Sequence, residues 1–344
     1  MDRFDRLREQ IDVANGRGLE IGPLASPVVA RELGDVYYVD HLSTDDLIAK
    51  YRNDPNVDER RIVSTDFVWG SNTLAEAVGS AAPFDYVVAS HVLEHVPDLV
   101  GWLKEVATIL RPGGRLSLAM PDRRYTFDVR RRDSDISEIA EAYLLHLRRP
   151  AVRATFDHFY RFVPVDPDAI WAGLPGHNNP PPDAETALAF ATKAATTDAY
   201  LDTHCWVFSD ATFVELMATL MQMGLVDLPF VAFRPTQPGD FEFFVTLERA
   251  DDDLSPEQRR ARCLASVPTL PSARSKAPGN GVDSAASSLS HCVLSDRERA
   301  LIEAKRKAMA SIRAAGRFRR RRGSTPMVTV PPRTPSGVGV VLMR

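Results

Sequence analysis

Two acidic residues, Glu20 and Asp40, stand at the ends of two short apolar runs and are the first side chains that indicate a ligand site. The first run, Gly18 to Ile21, leads into a Gly22-Pro23 turn, and the second, Val36 to Val39, leads directly into Asp40. A carboxylate about 20 residues after the first strand can accept both hydroxyls of a ribose. The pattern therefore predicts a site for a nucleoside-containing ligand at the edge of a parallel sheet.

The turn itself carries only part of a dinucleotide-binding fingerprint. A G-x-G-x-x-G motif has three glycines, whereas only Gly22 lies in this turn. Ser26 and Pro27 predict the start of a helix that ends near Leu33, and its free N–H groups would face the ligand. An ordinary strand–helix turn without a ligand and a solvated Asp40 are the alternatives that these residues leave open.

Further strands and helices alternate along the chain and predict a parallel sheet with right-handed connections. The expected helices cover residues 2–13, 43–51, 98–110, 133–149 and 209–224, and the expected strands cover 61–64, 84–89 and 115–120. Two last strands, 230–234 and 242–247, are joined by a short connection and must therefore be antiparallel.

Asp66 and Phe67 follow the predicted third strand. A carboxylate there can accept a hydrogen bond from an exocyclic amine, and an aromatic ring can cover a base. A capping aspartate beside a core phenylalanine is the alternative interpretation of the same pair.

Composition divides the chain into two parts. Of its 28 Phe, Trp and Tyr residues, only Phe318 lies beyond Arg249. A segment without large apolar side chains cannot easily offset its ordering entropy. We therefore place a globular domain at residues 1–249 and expect 250–344 to be a basic, largely disordered extension with a helix near 295–315.

The extension contains the run Arg317 to Arg322, interrupted only by Phe318. Such a run can bind nucleic acid or an anionic membrane surface, or it can form a solvated arm. Because no aromatic residues interleave with the arginines as they do in single-strand binders, we favour the solvated arm.

The cysteines and the N-terminal residues indicate in which cellular compartment the protein is expected. Cys205, Cys263 and Cys292 are widely separated, with no C-x-x-C pair, so the sequence indicates neither a disulfide framework nor a zinc site. The charged N-terminus has no apolar signal-peptide region, and no apolar run is long enough to span a bilayer. We expect a cytoplasmic protein without a membrane span.

The segment FDYVVASHVLEHV, followed by LRPGGRL and preceded by LEIG and YVD, resembles the class I S-adenosylmethionine-dependent methyltransferases. It looks like a bacterial, methyltransferase-11-like subgroup whose first motif reads GP. The resemblance implies an α/β, Rossmann-like, doubly wound sheet of seven strands in the order 3-2-1-4-5-7-6, with strand 7 antiparallel. It also implies S-adenosyl-L-methionine as cofactor, and we expect residues 150–205 to be an inserted substrate cap.

The resemblance further implies roles for individual residues at the cofactor. These are Glu20 and Gly22 near the methionine portion, Asp40 at the ribose, Asp66 and Phe67 at the adenine, and Ser90 and His91 after strand 4. The sequence departs from the family pattern at Pro23, because two expected turn glycines are missing. Proline fixes φ, so the backbone path past the cofactor carboxylate differs from that of the family.

A general base is needed if the methyl acceptor is a hydroxyl, which must lose its proton as it attacks. Among the candidates, His204 and His158 are predicted to be catalytic, whereas His95 shares a helix face with Val92 and Leu99 and is expected to pack. No metal site is expected. Asp122, Asp128, Asp157 and His158 can be grouped on paper, but no spacing requires it.

The sequence therefore predicts methyl transfer to a small-molecule or sugar-like acceptor, with oxygen as the expected attacking atom. An NAD-dependent oxidoreductase is disfavoured by the single turn glycine and the terminal hairpin. A non-catalytic partner protein of the same fold remains an alternative because of the GP departure. A nucleic-acid methyltransferase tethered by the arginine run is a further alternative, although Ser90 to Leu93 stands where such enzymes carry Asn-Pro-Pro-Tyr or Asp-Pro-Pro-Tyr.

Overall fold

Seven strands form one mixed sheet in a computed structural model that describes residues 2–54, 57–178 and 180–270. The strands are β1 Arg17–Ile21, β2 Asp35–Asp40, β3 Phe67–Val68, β4 Phe84–Ser90, β5 Leu110–Pro121, β6 Phe230–Arg234 and β7 Glu242–Glu248. Their order is β3-β2-β1-β4-β5-β7-β6, and only β7 runs antiparallel to its neighbours β5 and β6. The predicted fold class and strand order are confirmed.

The helices are α1 Arg3–Arg8, α2 Thr44–Tyr51, α3 Leu74–Val78, α4 Leu99–Ile109, α5 Ile136–Leu144, α6 Val152–Arg161, α7 Pro167–Trp171, α8 Ala184–Thr196, α9 Asp210–Gln222 and α10 Pro256–Ala265. Side-chain oxygens of Ser43, Asp98 and Ser209 accept backbone N–H groups at the starts of α2, α4 and α9. These three helices match the predicted positions because their caps and apolar faces are encoded locally.

Both faces of the sheet are buried. Along β4, Val87 belongs to the larger core cluster, and Val88 belongs to a second cluster on the opposite face. Helices α4 and α9 cover the first face, with Trp102 and Phe213 among their buried side chains. The second face is covered in part by α1 and by the loop after β1, so this loop is a structural layer as well as a connection.

The predicted helix between Ser26 and Leu33 is wrong. Residues 22–34 form a series of turns, and the buried carboxylate of Glu20 accepts the N–H groups of Val28 at 2.7 Å and Val29 at 2.9 Å. A side chain that binds these two donors holds the loop against the sheet. Ser26 and Pro27 predict a helix, but the contact with Glu20 on the preceding strand holds the backbone in turns instead.

The third strand is also misplaced in the sequence-based prediction. Glu59–Arg61 forms a short 3₁₀ turn, and Val63 donates its N–H to Leu24 in the loop after β1 at 2.9 Å. The strand that pairs with β2 is Phe67–Val68, opposite Val39 and Asp40. The predicted strand therefore contacts a loop rather than the sheet, and the edge of the sheet lies several residues later.

The segment 150–205 contains α6, α7 and α8. The rings of Phe159 on α6 and Phe190 on α8 stack with centroids 3.7 Å apart. This aromatic pair packs α6 against α8, which are separated in the chain by α7.

Packing continues beyond Arg249, where the sequence placed the end of the domain. Cys263 on α10 is fully buried in the larger core cluster, and Cys205 is buried as well. Both thiols are unpaired in the described part of the chain. The helix predicted near 295–315, the run Arg317 to Arg322 and Cys292 lie outside the described residues. No helix within the described ranges is long and apolar enough to cross a membrane.

The buried position of Cys263 makes α10 part of the folding unit. Cys263→Asp places an unpaired charge in the core and should lower the free energy of unfolding by about 3–5 kcal/mol. Arg260→Asp on the exposed side of the same helix should change it by less than about 0.5 kcal/mol. Urea denaturation of both variants measures the difference, and equal stabilities would show that α10 is not packed on the domain.

Candidate functional site

A cavity of about 620 Å³ opens at the carboxyl ends of β1, β2 and β4. In an open parallel sheet this is the point at which successive connections leave on opposite faces, and ligands bind there. The residues around the cavity either follow a strand or come from α2, from α4 and the turn before it, and from the stretches 147–149 and 198–202. They include Gly22, Leu24, Asp40, His41, Lys50, Tyr51, Trp69, Gly70, Ser71, His91, Val92, His95, Trp102, Arg148, Arg149, Tyr200 and Asp202.

Of the first predicted pair, only Gly22 lines the cavity. Gly22 has φ of +68°, and a Cβ at this position would lie 3.2 Å from Val92 Cγ2. Its N–H donates to the carbonyl oxygen of Val39 at 2.9 Å, which ties the turn to β2. Glu20 lies below the turn, and its carboxylate holds the loop instead of facing the cavity.

Burial dominates the electrostatics of Glu20. Removal of the carboxyl from water raises its pKa to about 7, although the N–H groups of Val28 and Val29 act in the opposite direction. The residue has the position that the sequence predicted, but its contacts are those of a support beneath the turn.

Asp40 lies at the end of β2 and lines the cavity, as predicted. Its carboxylate accepts the backbone N–H of His41 at 2.7 Å and also contacts the ring of that histidine. The other ring nitrogen of His41 lies 2.9 Å from Lys50 Nζ. A ribose at this edge would therefore meet a carboxylate whose orientation is already set by its neighbour.

Asp66 and Phe67 do not line the cavity. The carboxylate of Asp66 accepts the N–H of Tyr38 and a guanidinium N–H of Arg31, both at 2.7 Å. The ring of Phe67 stacks on Tyr37 with centroids 5.6 Å apart. Both residues therefore contact neighbouring parts of the sheet. Because β3 begins at Phe67, the strand end that faces the cavity lies further along the chain.

Trp69, Gly70 and Ser71 occupy the strand end that the prediction assigned to Asp66 and Phe67. The Trp-Gly step directly after the short β3 is the sequence signal that could have located this edge. A tryptophan offers a broad apolar face on which a base can stack.

The two residues after β4 differ in role. Ser90 accepts a hydrogen bond from the guanidinium of Arg3 and does not line the cavity. His91 does line it, with φ of +55°, a left-handed conformation that few non-glycine residues adopt. Its Nε2 lies 2.7 Å from Glu242 Oε2. Burial acts to lower the pKa of His91, but the nearby carboxylates of Glu242, at 2.7 Å, and Glu94, at 3.5 Å, outweigh it and raise the pKa to about 9.

The expectation that His95 only packs is wrong, since its ring lines the cavity and its side chain is 26% exposed. The residue sits in the 3₁₀ turn Leu93–His95 rather than on a helix face. Its ring meets that of His204 with centroids 4.6 Å apart. Glu94, His95 and His204 therefore come together, with one potential ligand atom of each within 4.8 Å of the others.

The two predicted catalytic histidines, His204 and His158, are packed next to each other, and His204 also contacts His95. His204 Nδ1 is 2.6 Å from Asp128 Oδ2, and burial lowers the pKa of its ring. His158 Nδ1 accepts the backbone N–H of His204 at 3.3 Å. Both side chains are buried, and neither is among the residues that line the cavity.

Residues 2–220 match the family model for a methyltransferase domain. A comparison with curated proteins gives no match. Solved structures with a similar fold include the CurJ carbon methyltransferase at 13% identity and a TM-score of 0.34, covering 71% of this chain and 51% of that one. This chain therefore spans about half the length of that protein.

Two further structures cover 73% of this chain. One is an S-adenosylmethionine-dependent methyltransferase from Methanosarcina mazei, at 15% identity, a TM-score of 0.36 and 99% of its own length. The other, from Rhodobacter sphaeroides, is described as a candidate Zn-dependent alcohol dehydrogenase, at 17% identity, a TM-score of 0.40 and 91% of its own length. All three scores are low, and these likenesses carry no statement about activity.

The role of Glu20 as a buried support predicts a pH-dependent stability. Because the pKa is about 7 in the folded state and about 4.5 unfolded, the folded protein retains a proton that the unfolded chain has released. Between those values the free energy of unfolding should fall with rising pH by roughly 3 kcal/mol relative to Glu20→Gln. Urea denaturation at pH 4.5 and pH 8 measures this difference.

Glu32→Gln is the matched control, since Glu32 is exposed in the same loop region. It should follow the wild type across the whole pH range. A Glu20→Gln variant that also runs parallel to the wild type would contradict the raised pKa of Glu20.

Proposed function

Since this chain belongs to the family of methyltransferase domains, which use S-adenosylmethionine as methyl donor, we propose that it methylates a small, polar acceptor at oxygen. The observation that carries the proposal is the cavity at the ends of β1, β2 and β4, which joins the cofactor edge of the sheet to the cap segment. We assign the sheet side of this cavity to the cofactor and the cap side to the acceptor.

The cofactor assignment rests on three strand ends. Asp40 at the end of β2 would accept the ribose hydroxyls, and Trp69 after β3 would cover the adenine. Gly22 and Leu24 bring the turn after β1 to the cavity, where backbone groups can meet the methionine portion. This arrangement replaces the adenine role first predicted for Asp66 and Phe67, and it leaves Glu20 and Ser90 as supports.

The acceptor assignment rests on the charge and shape of the cap side. Arg149, Asp198, Tyr200 and Asp202 line the cavity and lie at the ends of the cap segment or within it. Side chains of both signs beside an aromatic ring suit an uncharged polar molecule with several hydroxyls, such as a sugar. Hydrogen bonds to those hydroxyls would orient the acceptor.

Methyl transfer to oxygen forms an O–C bond and breaks the C–S bond, whose electron pair stays on sulfur. The acceptor hydroxyl also gives up its proton. Orientation of the two reactants can account for about 7–11 kcal/mol of the barrier. His91 Nε2 is already engaged by Glu242 at 2.7 Å, so another group takes the hydroxyl proton. We assign that step to His95, which lines the cavity, supported by Glu94 and His204 beside it and by His158 as a positioning residue for His204.

Calorimetry with S-adenosylhomocysteine and, separately, NADH tests the cofactor assignment. Binding of the S-adenosyl ligand without binding of NADH is expected, and binding of NADH alone would overturn the proposal. For the acceptor, S-adenosylmethionine labelled with ¹³C in the methyl group is incubated with a panel of monosaccharides, phenols and amines. The carbon shift of the product distinguishes an O-methyl ether from an N-methyl amine, and transfer only to amines would refute O-methylation.

Asp40 and Asp66 form a matched pair for the ribose assignment. Asp40→Ala should weaken binding of S-adenosylhomocysteine by about 1–3 kcal/mol, since the ribose hydroxyls lose a charged acceptor. Asp66→Ala should leave the dissociation constant unchanged, although the loss of its contacts with Tyr38 and Arg31 lowers stability. Titration calorimetry below the melting temperature of each variant gives both constants, and equal effects would mean that Asp40 has no special role.

A further inference from the structure

We propose that Glu94, His95 and His204 bind a divalent transition-metal ion, with Zn²⁺ as the best fit, at the point where His95 lines the cavity. One ligand atom from each residue lies within 4.8 Å of the others. Two ligands on a tetrahedral zinc ion are about 3.4 Å apart, given Zn–N and Zn–O bonds of about 2.0–2.1 Å. Small side-chain rotations are enough to close the remaining gap.

The first observation that points to an ion is the state of Glu94. Its side chain is completely buried, and neither carboxylate oxygen has a hydrogen-bond partner among the described residues. The nearest ring nitrogens are His91 Nδ1 at 3.5 Å and His95 Nε2 at 3.9 Å from Oε1, both beyond ordinary hydrogen-bond length. Both contacts are within ion-pair distance, but a fully buried carboxylate that accepts no hydrogen bond remains costly unless it also coordinates a metal.

The second observation is the carboxylate behind each ligand histidine. Asp128 Oδ2 lies 2.6 Å from Nδ1 of His204, and Asp202 Oδ1 lies 2.9 Å from Nδ1 of His95. The hydrogen bond to Asp128 leaves Nε2 of His204 available to an ion, whereas Asp202 meets His95 Nδ1 at ion-pair distance without a hydrogen bond. A carboxylate on the far nitrogen is the common way in which proteins orient metal-binding histidines. Arg131 in turn donates a hydrogen bond to Asp128 at 3.0 Å. The carboxylate that orients His204 is therefore itself held in place.

His91 shows the same arrangement at the rim of the cluster. Its Nε2 faces Glu242, and its Nδ1 faces Glu94. It is therefore placed to approach the ion as a further ligand or to remain beside Glu94 as a cation. The three-residue core of the proposed site does not depend on which of these applies.

The donor set narrows the identity of the ion. Two imidazoles and one carboxylate are ligands of catalytic zinc and of non-haem iron(II) sites. Mg²⁺ and Ca²⁺ prefer oxygen ligands, so they fit poorly. Because the ring of His95 lines the cavity, open coordination positions would face the space assigned to the acceptor.

The catalytic role of the ion rests on the proposed function, whereas ion binding does not. With the ion bound, Glu94, His95 and His204 would act as its ligands instead of as a proton acceptor, and a hydroxyl on the ion would lose its proton to solvent near neutral pH, as a zinc-bound water does with a pKa near 7. The resulting alkoxide attacks the methyl carbon, the C–S bond breaks towards sulfur, and the neutral thioether is released.

The test uses the full chain after dialysis against EDTA, titrated calorimetrically with ZnCl₂ and, separately, MgCl₂. We expect one equivalent of Zn²⁺ to bind, at least 100-fold tighter than Mg²⁺, and to raise the melting temperature by several degrees. Co²⁺ should give the visible absorption of a four- or five-coordinate ion. Glu94→Gln, which keeps the shape of the side chain, should abolish both the binding of this Zn²⁺ ion and the rise in melting temperature.

His146→Asn is the matched control, because His146 is exposed and its φ of +48° is tolerated by asparagine. It should bind Zn²⁺ like the wild type. Equal binding by wild type and Glu94→Gln would mean adventitious surface binding and overturn the proposal, as would the absence of binding to the wild type, which would leave His91 as the partner of Glu94. S-adenosylhomocysteine is titrated in parallel, so that loss of cofactor binding is distinguished from loss of the ion.

Discussion

The site depends on one buried interaction, the pair of hydrogen bonds from Val28 and Val29 to the carboxylate of Glu20. They bind the loop after β1 to the strand before it, so the loop forms a layer on the sheet where a helix would otherwise start. As a consequence, Gly22 and Leu24 are presented at the cavity with both residues in the left-handed region. A buried carboxylate with two N–H donors thus replaces the glycine-rich turn and helix N-terminus that a nucleotide site commonly uses.

The cavity follows from the strand order. β1 pairs with β2 on one side and β4 on the other, so three carboxyl ends meet at one edge. The connections from these strands leave on opposite faces and open a crevice between them. Arg149, just before residues 150–205, and Tyr200 and Asp202, within them, also line this cavity.

A cluster of ionisable side chains lies where His91 and His95 line the cavity. Three histidines surround Glu94, and each has a carboxylate at its far side: Glu242 for His91, Asp202 for His95 and Asp128 for His204. In the proposed reaction, methyl transfer itself needs orientation, whereas the acceptor proton needs a charged or coordinated partner, which this cluster would provide.

Much of the fold was predictable because its signals are local. Caps such as Ser43 and Ser209, the apolar face of α4 and the strand before Asp40 are patterns of neighbouring residues, and the resemblance in SHVLEHV and RPGGRL supplied the strand order. The sequence by itself therefore determined the fold class, the family and the placement of Asp40 and His91 at the cavity. The tertiary structure decided that Glu20 supports a loop, that Trp69 replaces Phe67 at the third strand end, and that His95 and His204 meet. These outcomes rest on contacts between residues distant in sequence, such as Asp128 and His204, and such contacts leave no periodic trace in the chain.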